Sequence, residues 1–222
     1  MREDDLDTGN LDTGEHNAGL APMKSGSSGS PTFLEQTIEE FLDDLSAREP
    51  IPGGGSVAAV VIGMAAGLAA MAARFSDGQL PDALRIAKTA DVLRTQVVSF
   101  AQEDALAYQQ VLASYEAPAN GDPATRREAI RSALSGAADV PLKITDVGAK
   151  VAQLAEEVAR RGNGNLRGDA VTGALLAHAG AHACALLVRI NLRGMEDERI
   201  PQAQMLADIA ANAARRALAE DA

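Results

Sequence analysis

The chain is predicted to be all-α: a compact bundle of five to six helices around a buried, alanine- and glycine-rich central helix. Three observations predict it. Apolar residues make up 46% of the 222, yet there is no Trp, and only two Tyr and four Phe. Alanine dominates instead, and alanine is the strongest helix former. Long runs of alternating β-branched residues, the mark of half-buried strands, are absent. The stretch 57–73, VAAVVIGMAAGLAAMAA, runs 17 residues without a charge.

Residues 1–31 are rich in Asp, Gly, Ser and Asn, with few side chains to offset ordering entropy, and are expected to form a disordered extension. The helical domain is expected over 32–222. Its first helix begins at Thr32, where PTFLE offers a Thr N-cap with Glu35 three residues on. Phe33, Leu34, Ile38, Phe41, Leu42 and Leu45 then share one face, and Pro50 lies beyond the end near Arg48. The second helix covers about Ser56 to Phe75, capped by Ser56. Its apolar run is at the short limit for a bilayer and lacks Lys/Arg-rich flanks, so a central core helix is the better reading. The third runs from about Pro81 to Ser114, and the fourth from Pro123 to Arg161, kinked or divided at Pro141. After the loop RRGNGNLRGD come a fifth helix, about Asp169 to Leu192, and a last one, about Ile200 to Glu220. Short connections between such helices make a bundle.

The formal charge of −11 argues against nucleic acid and anionic membrane surfaces as partners, because phosphate neutralisation needs a basic face. The single cysteine, Cys184, sits in an apolar helical pattern and reads as a buried free thiol. The N-terminus is acidic and has no apolar h-region, so a cytoplasmic protein is expected.

Four stretches carry candidate chemistry. PGGGS, with Gly53, Gly54, Gly55 and Ser56, sits before a helix N-terminus. Bare backbone there leaves N–H donors and the positive end of the dipole open to an anion. No Lys-Ser/Thr follows and no strand precedes, so it is neither a P-loop nor a dinucleotide fingerprint. In EDALAYQQV, Asp104 and Tyr108 are four apart and share a helix face, while Glu103 reads as solvated. GNGNLRGD brings Asn163, Asn165 and Arg167 close to Asp169. Asp169 is either a first-turn acid or a general acid/base at a helix end. His178 and His182 have a spacing that can bind zinc, but no third ligand accompanies them. Helix-face histidines hydrogen-bonded in a bundle are the better reading, and no metal is expected.

Taken in order, PIPGGGSVAAVVIGMAAGLAAMAARFS, EDALAYQQVLASY, AADVPLKITDVGAKVAQLAEEVARRGNGNLRGDAVTGALL and INLRGMEDE resemble the cyclodeaminase/cyclohydrolase family over about residues 33–220. The resemblance implies an all-α homodimer that binds a tetrahydrofolate derivative as substrate, with no permanently bound cofactor. It implies either ammonia-forming ring closure of formimidoyl-tetrahydrofolate or hydrolytic opening of the methenyl ring. Carried over, Gly53–Ser56 match the family's glycine loop, Asp104 the acid of its Asp-Ala segment, Asn191 the Asn of Ile-Asn-Leu, and Asp169 its proton-transfer acid. Gly168, Gln102 and Leu187 replace the family's usual Ser, Asp and Asn. These departures leave open a member acting on a non-folate metabolite in specialised metabolism, or a catalytically silent ligand-binding dimer.

Overall fold

A computed structural model of the chain describes residues 32–116 and 122–219; the expected disordered extension 1–31 lies outside them. Among the described residues there are seven α-helices and one 3-10 turn: α1 (Ile38–Ser46), α2 (Gly54–Arg74), α3 (Ala83–Glu116), α4 (Pro123–Ala137), α5 (Asp139–Arg161), the turn Gly164–Leu166, α6 (Arg167–Asn191) and α7 (Arg199–Leu218). The chain therefore has one helix more than the upper expectation, because the predicted fourth helix is divided. The break falls at Ala138, so Pro141 occupies the first turn of α5, where a missing N–H is tolerated.

The central helix is α2, packed by α3, α5 and α6. Close approach is bought with small residues. A Cβ on Gly180 of α6 would lie 2.6 Å from Ile62 Cγ1, and one on Gly63 would lie 2.5 Å from Val98 Cγ1 of α3. Ile62, Ile144, Val97, Val147 and Val151 fill the core this creates. An apolar helix so thoroughly covered by others needs no bilayer to bury it.

One terminal expectation is corrected here. The first helix starts at Ile38, not Thr32. TFLE and TIEE are both capping-box patterns, and the second one caps the helix: Glu40 N–H donates to Thr37 Oγ1 at 3.2 Å and Thr37 N–H donates to Glu40 Oε2 at 2.7 Å. Thr32 and Glu35 form only a preceding turn. The predicted apolar face of α1 is present but largely uncovered: no residue of the helix is buried, and Ile38 is 70% exposed.

Two ion-pair latches tie the outer helices down. Arg216 of α7 makes a two-pronged contact with the buried Glu156 of α5 at 2.5 and 2.6 Å. Arg199, opening α7, donates to Asp197, to Asp139 and to both the carbonyl and hydroxyl oxygens of Ser135, all at 2.6–2.9 Å. This cluster holds the α6–α7 connection against the α4–α5 junction.

Candidate active site

The N-terminus of α2 is left without a side-chain cap of its own. Gly53 is the N-cap, so the helix begins two residues earlier than expected. Ser56 is consequently a third-position helical residue, wholly buried, and not the cap. Its hydroxyl donates to Ala101 O at 2.8 Å and lies 3.3 Å from Asp104 Oδ2, both on α3. Asp104 thus brings a carboxylate from a neighbouring helix to amides that a helix start leaves unpaired. Its side chain fits because residue 55 is glycine: a Cβ there would sit 2.2–2.5 Å from the Asp104 carboxylate atoms. Gly54, in contrast, faces open space, with nothing within 4 Å of a built Cβ.

Gly53, Gly54, Gly55 and Asp104 line a cavity of about 320 Å³, together with Tyr108 from α3, Pro141 from α5 and Asn191 from α6; Ser56, expected to bind there, is wholly buried and supports the wall from behind. Burial raises the Asp104 carboxyl above its ordinary value, and hydrogen bonds from the Ser56 hydroxyl and amide oppose that rise. Beneath it, Cys184 is fully buried; burial first, and the Asp104 charge second, push its thiol far above the ordinary range, so it is an inert structural thiol.

Asn191 has a structural duty. Proline at 141 has no N–H to donate to the carbonyl four residues back, that of Ala137. Asn191 Nδ2 donates to that oxygen at 3.0 Å. The same side chain therefore repairs the α4–α5 break and walls the cavity. Pocket-lining Pro50, Ile51, Ala137, Pro141, Leu187 and Ile190 escaped the sequence reading as site residues, because nothing in their types signals a ligand. Pro50 and Pro141 stood out as helix breakers, and Leu187 as a departure from the family pattern.

The Asn163–Asp169 stretch lies elsewhere, and the expectation that Asp169 faces the glycine turn is corrected within this chain. Asp169 lies in the first turn of α6, and Leu187 is the first residue of that helix to line the cavity, so about 27 Å of helix separates Asp169 from it. Asn163 clips this loop to the opposite end of α2: its N–H donates to Ser76 Oγ at 2.8 Å and its Nδ2 to Phe75 O at 3.1 Å. Its Oδ1 accepts the Asn165 N–H at 3.0 Å. Arg167 is also engaged structurally, donating to the Ala217, Leu218 and Ala219 carbonyls at the end of α7. Helix-capping chemistry thus accounts for Asn163, Asn165 and Arg167 without a ligand. His178 and His182 sit with ring centroids 5.9 Å apart. The hydrogen-bonded reading is corrected: neither ring makes a hydrogen bond among the described residues, and His178 Nδ1 is buried without a partner there.

The fold and cavity define a helical small-molecule-binding protein, with one partly buried carboxylate set against a glycine-opened helix terminus. The pattern of the formiminotransferase-cyclodeaminase family matches residues 37–210, and the chain belongs to that family. It is 34% identical over 178 residues to a methenyltetrahydrofolate cyclohydrolase from Methylorubrum extorquens, covering 77% of this chain and 86% of the relative. It is 28% identical over 175 residues to the formimidoyltransferase-cyclodeaminase of Rattus norvegicus, spanning 75% of this chain but 32% of that longer protein. The crystal structure of formiminotetrahydrofolate cyclodeaminase from Thermotoga maritima superposes with a TM-score of 0.73 at 28% identity, covering 83% of this chain and 94% of that one.

Proposed function

We propose that the chain is a folate one-carbon enzyme that opens the methenyl ring of 5,10-methenyltetrahydrofolate by hydrolysis, with Asp104 as its proton-handling group. The relative of similar length, 34% identical, bears the cyclohydrolase name. The observation that carries the residue assignment is the Asp104 carboxyl, raised by burial and held at the rim of the open glycine turn.

The substrate's reacting carbon lies between two nitrogens and shares a positive charge with them. Water adds to that carbon while the Asp104 carboxylate takes its proton. The protonated carboxyl then returns the proton to the departing ring nitrogen, the C–N bond breaks, the added hydroxyl gives up its remaining proton to solvent, and the neutral formyl product forms. A carboxyl raised above its ordinary value by burial suits both halves of this cycle, and general acid–base catalysis of this kind contributes about 10²–10⁴-fold in rate. The α2 amides near Gly54 stabilise the oxygen that gains negative charge. Tyr108 and Asn191 bound the site and position the ring system.

Ammonia-forming ring closure is the second reading, favoured by the cyclodeaminase name of the solved neighbour. It uses the same carbon, with Asp104 protonating the leaving ammonia. Loss of near-ultraviolet absorbance on adding 5,10-methenyltetrahydrofolate to purified protein tests the hydrolase; ammonia release from formimidoyl-tetrahydrofolate tests the deaminase. Neither signal above buffer would overturn the folate assignment.

The exposed apolar face of α1, with Ile38 and Leu42 each more than half exposed and continued by Leu34 in the preceding turn and Met64 of α2, supports the expectation of a homodimer.

A further inference from the structure

Among the described residues, Ser56 is the only side chain that hydrogen-bonds Asp104, and it faces a choice. Its hydroxyl carries one proton and has two acceptors on α3: the Ala101 carbonyl at 2.8 Å and Asp104 Oδ2 at 3.3 Å. Rotation about the Cβ–Oγ bond carries that proton from one acceptor to the other without moving a heavy atom. Ser56 is wholly buried, so solvent does not compete for the bond. The Ser56 amide, in the first turn of α2, is in contrast a fixed donor to the same carboxylate.

Asp104 is the group whose proton count changes in the reaction proposed above. When it is ionised, a hydroxyl turned to Oδ2 stands in for hydration that burial has removed. When it holds a proton, it needs that donor less, and the hydroxyl still has the Ala101 carbonyl. A buried hydroxyl is costly to leave unpaired; two acceptors keep this one paired in both states. Little else near Asp104 can answer its charge. Tyr108, one turn on, is the only other titratable residue in the cavity lining, which α4, α5 and α6 furnish with Ala137, Pro141, Leu187, Ile190 and Asn191. Cys184 of α6 lies beneath and is held neutral. Glu103 and Lys143, both about half exposed, pair with each other at 3.7 Å.

We infer that Ser56 is a positioning residue for Asp104: its hydroxyl proton turns to Oδ2 when the carboxylate is ionised and to the Ala101 carbonyl when the carboxyl is protonated, so that the carboxyl keeps one position through both halves of the proton cycle. Ser56 does not touch the substrate and acts only through Asp104. The inference rests on the reading of Asp104 as the proton-handling group. It gives the serine of PGGGS a role behind the site, where the expected one was at its surface.

The test has an arm that needs no turnover. In the full chain labelled with 13C at aspartate and serine, the Asp104 carboxyl signal is identified by its loss in Asp104→Asn, and the Ser56 Cβ signal by its loss in Ser56→Ala or Ser56→Cys. In wild type the two signals should titrate with one midpoint, because the hydroxyl changes partner as the carboxyl gains its proton. A Ser56 signal that stays flat through the Asp104 titration overturns the inference, whatever any variant does. In Ser56→Ala the carboxylate loses a donor, so its midpoint should lie about one pH unit higher. Ser56→Cys, a weaker donor of similar shape, should fall between. An unmoved midpoint in a folded Ser56→Ala chain also overturns the inference. In turnover of 5,10-methenyltetrahydrofolate, the acid limb of kcat/KM should move up with the midpoint in Ser56→Ala. Its kcat should fall about tenfold with KM within about twofold, and Ser56→Ala should add no further loss to Asp104→Asn. A purely structural serine would move neither the midpoint nor the limb. A midpoint that moves while the limb stays put keeps the link between Ser56 and Asp104 and overturns the role of Asp104 in turnover, on which the positioning role rests.

Discussion

Gly55 and Asp104 occupy complementary space: the carboxylate fills the volume where a Cβ at position 55 would stand. Position 55 must therefore lack a side chain for the site to assemble. Gly55→Ala is expected to displace Asp104, with a loss of activity of at least tenfold and a destabilisation of about 1–3 kcal/mol. Gly54→Ala, with open space around the new methyl, should leave the melting temperature nearly unchanged while raising KM. Thermal melts and steady-state kinetics on the pair check both.

Asp104→Asn separates chemistry from folding. The raised carboxyl binds more protons in the folded chain than in the unfolded one. Its ionisation thus takes stability away as pH rises from the ordinary value of 3.8 through the folded value. The Asn variant should lose about 10²–10⁴-fold in turnover and yet melt at or above the wild-type temperature at pH 7. A melt series against pH should show that its advantage shrinks in acid.

Asp169→Asn is expected to keep turnover within a few-fold of wild type. Its distance from the cavity, along most of α6, is the reason. A loss comparable to that of Asp104→Asn would reassign the proton-transfer group.

Arg199 predicts a specific acid weakness. It lowers the Asp197 carboxyl from 3.8 to about 2. A group held below its unfolded value contributes stability that is fully present above the ordinary value and lost as pH falls toward the folded one. The wild-type melting temperature should drop across pH 4 to 2, and Asp197→Asn should flatten that part of the curve. Arg199→Ala should lower the melting temperature by several degrees at pH 7, since Ser135 and Asp139 lose their partner too.

Charging the open face of α1 tests self-association. Ile38→Glu with Leu42→Glu should leave helicity intact, because neither side chain is buried, and should convert a dimer to a monomer by light scattering. An unchanged mass would remove this face from the interface.

Much of the fold was legible from periodicity and punctuation. The apolar run of α2, the proline division before α5, and the proline opening α4 each act through local backbone chemistry, which sequence records directly. The shared face of Asp104 and Tyr108 was legible for the same reason. What escaped was pairing between distant segments. Ser56 looks like a cap when read with its neighbours alone, and becomes a buried donor only once α3 is in place. Asp169 reads as catalytic, and Asn163 and Arg167 as ligand-binding, because helix ends and active sites use the same residue types; which end of the bundle they occupy depends on the antiparallel course of α6 along α2. The Gly55–Asp104 fit spans 49 positions and leaves no local trace.

Asn191 shows how folding can restrict what a binding site is free to become. Its amide completes a backbone that proline left short, so replacing it would loosen the junction of two helices as well as reshape the ligand's surroundings. Leu187, one turn earlier on the same helix and in the same wall, carries no such obligation. Redesign toward a different metabolite should begin at 187, where specificity can drift without unfastening the scaffold.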